Sequence, residues 1–447
     1  MSEEEQKRRL EVVEICAGAG GQSLGLHLAG FKHKLAVELD QTAADTLRNN
    51  LSEREEDWDD DTVRVGDVAD PSVWNPEDYK GVDLLAGGVP CPPFSVAGKQ
   101  LGANDERDLF AWAVELCGTV QPKALLLENV RGLSANRFTG YRQHVLDRLY
   151  EHKYIGRWEL LHAADYGVSQ LRPRFVLVAL QEEYAEYFKW PEKHTTKPPT
   201  VGELLADLMS DRNWEGAEEW VRKANDIAPT IVGGSKKHGG ADLGPSRAKK
   251  AWSDLHVDAW GIADEPPGPG FKPSPRTKGE EVKGPKLTIE MVARIQGWYG
   301  KDYKWEFSGK KTSQYRQIGN AFPPPVAKAV GEAIASALRK EHKQTLFEHE
   351  NQVFDPVYKI LKKESEKKVR RYLDAEKIAG LLEREGTRLS LAEVEQRLVH
   401  LGHDFELEST ERKSGAIAYR LGEFKAFLGQ DDHQRHELFS QHRTRIS

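Results

Sequence analysis

The stretch EVVEICAGAGGQSLG, residues 11–25, decides the fold, because it joins an apolar strand to a helix through a glycine-rich turn. Glycines let the main chain turn with positive φ and let a ligand approach the backbone, while the amides that open the next helix offer hydrogen-bond donors. The dinucleotide pattern G-x-G-x-x-G would need its third glycine at Ser23, so the match to a nicotinamide fingerprint fails by one position. The stretch predicts a site for a nucleotide-like cofactor without identifying the cofactor.

The rest of the first half of the chain continues the same alternation of strands and helices. A second strand ends in Glu38, and an acid at the tip of the second strand is the expected partner of ribose hydroxyls. Further apolar runs predict strands, and amphipathic stretches between them predict helices, which together indicate a doubly wound α/β domain. The strand candidates are 82–86, 124–127 and 175–180, and the helix candidates are 24–29, 43–49, 109–116 and 141–150.

A second informative stretch, GGVPCPPFS at residues 87–95, places Cys91 between Pro90 and Pro92 directly after an apolar run. Prolines fix φ and remove backbone donors, so this cysteine is expected on a stiff turn at a strand end rather than inside a ladder. Free cysteine is among the most buried residue types, and a packing role would ordinarily be favoured. The other motifs along the chain reverse that preference.

Residues 11–335 resemble the C5-cytosine DNA methyltransferases in the identity and order of their motifs. In chain order the motifs are the turn at 17–21, Glu38, Gly66-Asp67-Val68, PCPPFS at 90–95, Glu128-Asn129-Val130, Gln170-Leu171-Arg172-Pro173-Arg174 and Gln317-Ile318-Gly319-Asn320-Ala321. The resemblance implies a Rossmann-like domain that uses S-adenosylmethionine to methylate C5 of a cytosine rotated out of double-stranded DNA. Cys16 departs from the family, which more often carries an aromatic residue there.

The resemblance also implies catalytic roles. Cys91 would add to C6 of the base as a thiolate, and Glu128 would act as an acid on ring N3, which requires a protonated carboxyl. Arg172 and Arg174 would orient the base and its phosphate, since guanidinium groups suit planar, bidentate contacts. Each assignment has a structural alternative, in which the glutamate is an ordinary strand-end acid, the arginines form a solvated strand face, and Asp67 caps a turn.

Two further sets of residues follow from the same resemblance. The cofactor is expected to contact Ala17, Gly18, Gly20, Gly21, Glu38, Asp67, Pro90, Asn320 and Ala321. DNA is expected to contact Ser95, Gly98, Lys99, Arg107, Lys236 and Lys237, with the nearby cations Arg247, Lys249 and Lys250 in the same basic region. No metal site is expected, because the 3 cysteines show no paired spacing.

The motifs divide the chain into four predicted segments. They are a catalytic and cofactor-binding domain at 11–184, a loop-rich target-recognition region at 185–310, a return segment at 311–340 that completes the first domain, and a mainly helical C-terminal extension at 345–447. The extension contains two amphipathic stretches, 374–385 and 390–401, and a possible strand at 416–421. Packing or a dimer contact is slightly favoured for it over binding of DNA or another partner.

Composition limits the possible functions. With 447 residues and 38% hydrophobic content the chain exceeds one ordinary core, and it has neither a membrane-length apolar run nor a secretory signal, so a cytoplasmic, nucleoid-associated enzyme is expected. The net charge of -7 means that a DNA-binding surface must be local. The favoured activity is DNA cytosine-C5 methylation in a restriction-modification or solitary system, where a cognate restriction endonuclease would act separately. RNA cytosine methylation and a catalytically silent DNA-binding module remain as alternatives.

Overall fold

The computed structural model describes residues 8–55, 58–89, 107–233, 241–275, 282–344 and 355–425. Its largest sheet has seven strands, which are β1 Leu10–Ile15, β2 Phe31–Glu38, β3 Val63–Val65, β4 Leu84–Gly87, β5 Ala124–Val130, β6 Tyr154–His162 and β7 Pro173–Gln181. The spatial order is β3-β2-β1-β4-β5-β7-β6. Strands β3, β2, β1, β4 and β5 are parallel to one another, and β7 is antiparallel to both of its neighbours.

The predicted α/β class is confirmed, with one difference at the edge of the sheet. A short connection, rather than a crossover helix, joins β6 to β7, and strands joined in this way pair antiparallel. Side chains along the central strands alternate between two cores, so that Val12 and Leu84 face one side while Val13 and Leu85 face the other. The sheet is therefore covered on both faces, as a doubly wound fold requires.

The helices of the catalytic part cover these two faces. They are α1 Gly21–Leu28, α2 Gln41–Ser52, α3 Arg107–Val120, α4 Thr139–Glu151 and α5 Glu182–Ala185. The recognition region contains α6 Val201–Ser210, α7 Ala217–Lys223, α8 Ser246–Asp254 and α9 Ile289–Gln296. The return segment then adds α10 Lys311–Asn320 and α11 Pro324–Leu338 to the catalytic part. Helix α11 packs directly on α1, because Gly25 has no side chain to keep the backbone of Pro324 away.

The region predicted to be loop-rich contains more regular structure than its prolines suggested. It holds helices α6 to α9 and a two-stranded pair, β8 Ser274–Pro275 with β9 Val282–Lys283. Its core includes Leu205, Trp252 and Met291, and it is continuous with Leu24 and Leu47 of the cofactor half. This part of the chain therefore packs on the catalytic domain through a shared apolar core.

The C-terminal extension, called the tail below, is residues 355–425 as far as it is described. It contains α12 Pro356–Ser365, β10 Leu373–Asp374, α13 Ala375–Arg384, α14 Leu391–Asp404, β11 Phe405–Glu411 and β12 Ile417–Phe424, with its strands in the order β10-β12-β11. The predicted helical character is confirmed, and α12, β10 and β11 are additional. The four segment boundaries stay a prediction. Within the described ranges, no helix has the length and apolar character needed to cross a membrane.

Candidate active site

The carboxyl ends of four parallel strands bring the predicted motifs to one edge of the sheet. Cys16 and Gly88 directly follow β1 and β4. Glu38 is the last residue of β2, and Glu128 lies near the end of β5. A Cβ placed on Gly88 would lie 3.6 Å from the Cys16 carbonyl oxygen and 3.7 Å from Glu128 Oε2. The turn expected to bind a cofactor and the acid expected to act on the base are therefore neighbours.

The glycine turn after β1 is shaped by packing on one side and is open on the other. Gly20 has a φ of 95°, and a Cβ there would overlap the Trp305 ring, whose Nε1 donates a hydrogen bond of 2.8 Å to the Ala19 carbonyl. A Cβ on Gly21 would overlap a backbone oxygen of the return segment. Gly18 has a φ of 58°, and no atom of the described residues lies within 4 Å of the position that its Cβ would take. The open side at Gly18 is where a ligand can approach the main chain.

Acidic side chains surround this turn. Glu38 accepts hydrogen bonds from the amides of Gly18, at 2.7 Å, and Asp40, at 2.8 Å, and burial raises its pKa. The pKa of the Cys16 thiol is also raised, first by burial and then by the charges of Glu38, Asp67 and Glu14. A cradle with this much negative charge disfavours a pyrophosphate and favours a ligand that carries positive charge.

Asp67 does take the capping position that its alternative interpretation predicts. Its Oδ1 accepts a hydrogen bond of 2.9 Å from the Ala69 amide. Because its charge also acts on the Cys16 thiol, the same carboxylate caps the turn and contributes to the acidic cradle. The two interpretations of Asp67 are therefore compatible.

Glu128 is enclosed beside Arg174. Both side chains are 9% exposed, and Arg174 Nε lies 2.6 Å from Glu128 Oε1. Burial raises the pKa of Glu128, and the charges of Arg174 and Arg172 oppose that shift without cancelling it. The ion pair is not an aligned hydrogen bond, since neither of these two atoms has a hydrogen-bond partner within the part of the chain that the structure describes. The carboxyl is thus able to hold a proton that an exposed glutamate would release.

Asn129 ties this acid to the strand that leads into Cys91. Its Nδ2 donates to the Val89 carbonyl at 3.2 Å, and its Oδ1 accepts from the Val130 amide at 2.8 Å. Val89 is two positions before Cys91 in the sequence. The bond therefore fixes the last described residue before the Pro-Cys-Pro stretch to the residue after the acid.

Arg172 is fully buried and bound to the protein's own backbone. Its guanidinium donates to the carbonyls of Ile231 at 2.8 Å, of Gly319 at 2.7 Å, and of Ala321 at 2.7 and 3.1 Å. Burial lowers its pKa, and the neighbouring charge of Arg174 lowers it further. In this geometry Arg172 joins the start of β7 to the recognition region and to the return segment, and its hydrogen bonds among the described residues all go to backbone carbonyls.

Two buried glutamines complete this junction, and they were absent from the set predicted from the sequence. Gln170 Nε2 donates to Gln296 Oε1 at 2.6 Å, and its Oε1 accepts from the Ile231 amide at 2.9 Å. Gln296 Nε2 then donates to the Ala321 carbonyl at 2.9 Å. A glutamine has no distinctive signature in a single sequence, although Gln170 does stand in the QLRPR motif.

The remaining predicted residues are distributed unevenly. Asn320 is exposed at the end of α10, and its side chain lies against the backbone of Gly233. Lys249 is 9% exposed and is held by Asp242 at 2.7 Å, which removes it from the lysines expected to reach phosphate. Outside the described residues lie Pro90, Cys91, Ser95, Gly98, Lys99, Lys236 and Lys237, and of Arg107 only the helical backbone is described.

Comparison with known proteins identifies the family that carries this arrangement. Residues 10–336 match the family described as C-5 cytosine-specific DNA methylase. The chain belongs to that family. It is an enzyme, a DNA cytosine-C5 methyltransferase of the type II restriction-modification kind.

Several methyltransferases are similar to this one over most of its length. Type II methyltransferase M.NaeI of Lentzea aerocolonigenes is 60% identical over 442 residues, which cover 98% of this chain and 99% of that protein. Type II methyltransferase M.NgoMIV of Neisseria gonorrhoeae is 50% identical over 333 residues, covering 74% of this chain and 98% of that protein. M.Sau96I of Staphylococcus aureus is 32% identical over 355 residues, covering 74% of this methyltransferase and 76% of the relative.

Proposed function

We propose that this methyltransferase transfers a methyl group from S-adenosylmethionine to C5 of a flipped-out cytosine in a specific duplex sequence, through a covalent adduct with Cys91. The observation that carries the proposal is the state of Glu128. This carboxyl is buried, has a raised pKa, and is tied through Asn129 to the strand that precedes the cysteine. Chemistry at C5 of cytosine needs an acid of this kind next to a nucleophile.

The cofactor assignment is supported by the charge of the cradle. S-adenosylmethionine supplies an electrophilic methyl group on a sulfonium, which is a cation. The acids Glu38 and Asp67 beside Cys16 suit a cation and would repel the pyrophosphate of a dinucleotide. The open face at Gly18 leaves the main-chain approach free, and Ala17, Gly20, Gly21, Pro90, Asn320 and Ala321 are the other residues proposed to hold the ligand.

The chain's own groups divide the reaction into steps. The Cys91 thiolate forms a bond to C6, while Glu128 gives a hydrogen bond or a proton to N3, so that the electron pair of the ring moves toward C5. C5 is then nucleophilic enough to accept the methyl group. Loss of the C5 proton and breaking of the sulfur–C6 bond restore the aromatic ring and the thiolate. Arg174, paired with Glu128, is proposed to orient the base, and Arg172 to hold the segments around it.

DNA recognition is assigned to residues 185–310. A cytosine inside a duplex cannot reach Cys91, so it must be rotated out at a cost of a few kcal/mol, and contacts outside the pocket must offset this cost. Ser95, Gly98, Lys99 and Arg107 are proposed to follow the opened strand, and Lys236 and Lys237 to contact phosphate. A cognate endonuclease, if one is paired with this enzyme, would act as a separate protein.

A trapping experiment tests the covalent step. Duplex DNA that carries 5-fluorocytosine at the methylated position has no C5 proton to lose, so the adduct should persist and resist denaturation. We expect a trapped complex with the native enzyme and none with Cys91→Ala. Cys117→Ala is the matched control, because this buried cysteine lies in α3 and should leave trapping intact. Methyl transfer by Cys91→Ala at a rate comparable to the native enzyme would contradict the proposed mechanism.

The substrate and its sequence require a separate measurement. Bisulfite sequencing of DNA from cells that express the enzyme should show C5-methylated cytosines in one sequence context. Exchange of residues 185–285 for the corresponding region of a relative should change that context, with cofactor binding preserved. An unchanged context after such an exchange would place recognition elsewhere in the chain.

A further inference from the structure

We propose that the tail positions the catalytic acid, and that Asp355 is the positioning residue through which it acts. The inference rests on the proposed role of Glu128 and adds a part of the chain that no catalytic motif includes. Relatives do not all possess this part. The 333 matched residues make up 98% of M.NgoMIV, so that protein is too short to contain a segment the size of the tail.

The first observation is that the tail is part of the interior of the catalytic domain. His144 on α4 lies between aromatic rings of the tail, with centroid distances of 4.2 Å to Phe424 and 5.3 Å to Phe405. Its Nδ1 is 3.1 Å from the Tyr358 hydroxyl. Burial lowers the pKa of His144 to about 3, so the imidazole is neutral and the contact has the character of a protein core.

The second observation is a buried carboxylate at the centre of this contact. Asp355 has 0% exposure and caps α12 by accepting from the Tyr358 amide at 2.9 Å. Its other oxygen, Oδ2, accepts from the Thr139 hydroxyl at 2.7 Å and lies 3.3 Å from Arg397 Nη1. One tail side chain therefore holds the first residue of α4.

The third observation connects α4 to the catalytic stretch. Arg142, one turn into α4, donates to the carbonyls of Leu133 at 2.7 Å and Ala135 at 3.0 Å. Burial lowers the pKa of Arg142 to about 10, and the charge of Asp355 opposes that shift. Leu133 lies in the first of the two short 3-10 turns that connect β5 to α4, and Ala135 is the residue between these turns.

These contacts form a continuous path from the tail to the acid. The path runs from Asp355 to the N-terminus of α4, then through Arg142 to the turn that begins one residue after Val130. Asn129 and Glu128 lie two and three residues before that turn. Because a displacement of about 1 Å at a reacting group can cost about a hundredfold in rate, a loosened turn should lower catalysis without altering the cofactor site.

The experiment compares two tail aspartates in the full-length enzyme. Asp355→Asn keeps the size of the side chain but removes the charge next to Arg142. Asp374→Asn is the matched control, because Asp374 is also a buried helix cap with an arginine partner, and its partners Lys377 and Arg412 both belong to the tail. Methyl incorporation into cognate duplex is measured at saturating and limiting S-adenosylmethionine, with the midpoint of thermal unfolding recorded for each protein.

We expect Asp355→Asn to lower kcat by about tenfold with the KM for S-adenosylmethionine unchanged, and Asp374→Asn to leave both constants near native values. Thr139→Val deletes the donor on the catalytic side, together with its 3.0 Å contact to the Asn136 carbonyl. It should reproduce the kcat loss and serves if the aspartate variant does not fold. A native kcat in either folded variant, or an equal loss in the Asp374 control, would overturn the inference. Failure of the Cys91 mechanism is distinguishable, because it would show in the trapping experiment with the native enzyme.

Discussion

Replacement of Arg172 by glutamine separates the two roles that this residue could have. A base-contacting arginine would affect methylation and leave the stability of the free protein nearly unchanged. The structure instead predicts a large loss of stability, because the guanidinium is fully buried and donates to carbonyls of Ile231, Gly319 and Ala321. The variant therefore tests the geometry of the junction itself.

The size of the effect follows from what each carbonyl retains. Ala321 keeps a second donor, Gln296 Nε2, whereas the carbonyls of Ile231 and Gly319 lose the Arg172 donor. A buried acceptor left without a partner costs about 1–3 kcal/mol, so Arg172→Gln should lower the free energy of unfolding by about 2–6 kcal/mol. At about 2.1 cal/mol/K of unfolding entropy per residue over 447 residues, the melting temperature should fall by roughly 2–6 °C.

Thermal and urea unfolding without ligand measure this loss, and methyl incorporation below the melting temperature measures activity. Arg172→Lys should also be destabilised, because an ammonium does not reproduce the planar fork that spans the three carbonyls. Arg174→Gln should lose activity with a smaller change in stability, since its described contacts are to Glu128 and the Pro173 carbonyl. An Arg172→Gln protein with native stability but no activity would refute the positioning role.

Three further results are expected. The carboxyl of Glu128 must be protonated to act, so kcat should fall as pH rises through its raised pKa. Arg174→Gln removes a charge that lowers this pKa, so the decrease in kcat should occur at higher pH, whereas Arg174→Lys should leave the pH profile near that of the native enzyme. Gly21→Ala places a methyl group against the backbone of the return segment, and calorimetry should show weakened S-adenosylmethionine binding together with a stability loss of about 1–3 kcal/mol. Gly140→Ala places a methyl group against Leu401 of α14 and forces this side chain to move. The overpacking should cost about 1–3 kcal/mol, which should exceed the helix-propensity gain of about 1 kcal/mol and lower the melting temperature.

The local elements near the cofactor were predictable because their signals are local. The predicted helix at 43–49 lies inside α2, and that at 141–150 lies inside α4. Helix α9 follows the same local rules, because Thr288 caps its start and Gly297 ends it. These are cases in which capping chemistry or apolar periodicity over one element decides the outcome. Glu38 and Glu128 were also placed correctly at strand ends, since motif order along the chain defines which strand carries each acid.

The parts that could not be predicted depend on contacts between distant segments. Helix α12 escaped detection although Asp355 and Pro356 form an ordinary helix start, because nothing in the sequence shows that this aspartate is buried against Thr139. Helix α6 has a capping box, Thr200 with Glu203, that was overlooked among the surrounding prolines. The backbone role of Arg172 was likewise hidden, since a motif indicates which residues are present and not which groups they face.

The packing of α11 on α1 has a consequence for how the enzyme is made. Gly25 meets Ala327 and the Pro324 carbonyl, so a helix translated at the beginning is completed by one translated about 300 residues later. At a synthesis rate of about 5–20 residues per second, α11 is completed roughly 15–60 s after the first strands and the glycine turn, which stay uncovered during that time. Pairings between such distant segments are slow to form and leave apolar surface exposed meanwhile. An unfinished chain therefore exposes the face of α1 that α11 later covers, and exposed apolar surface of this kind favours aggregation.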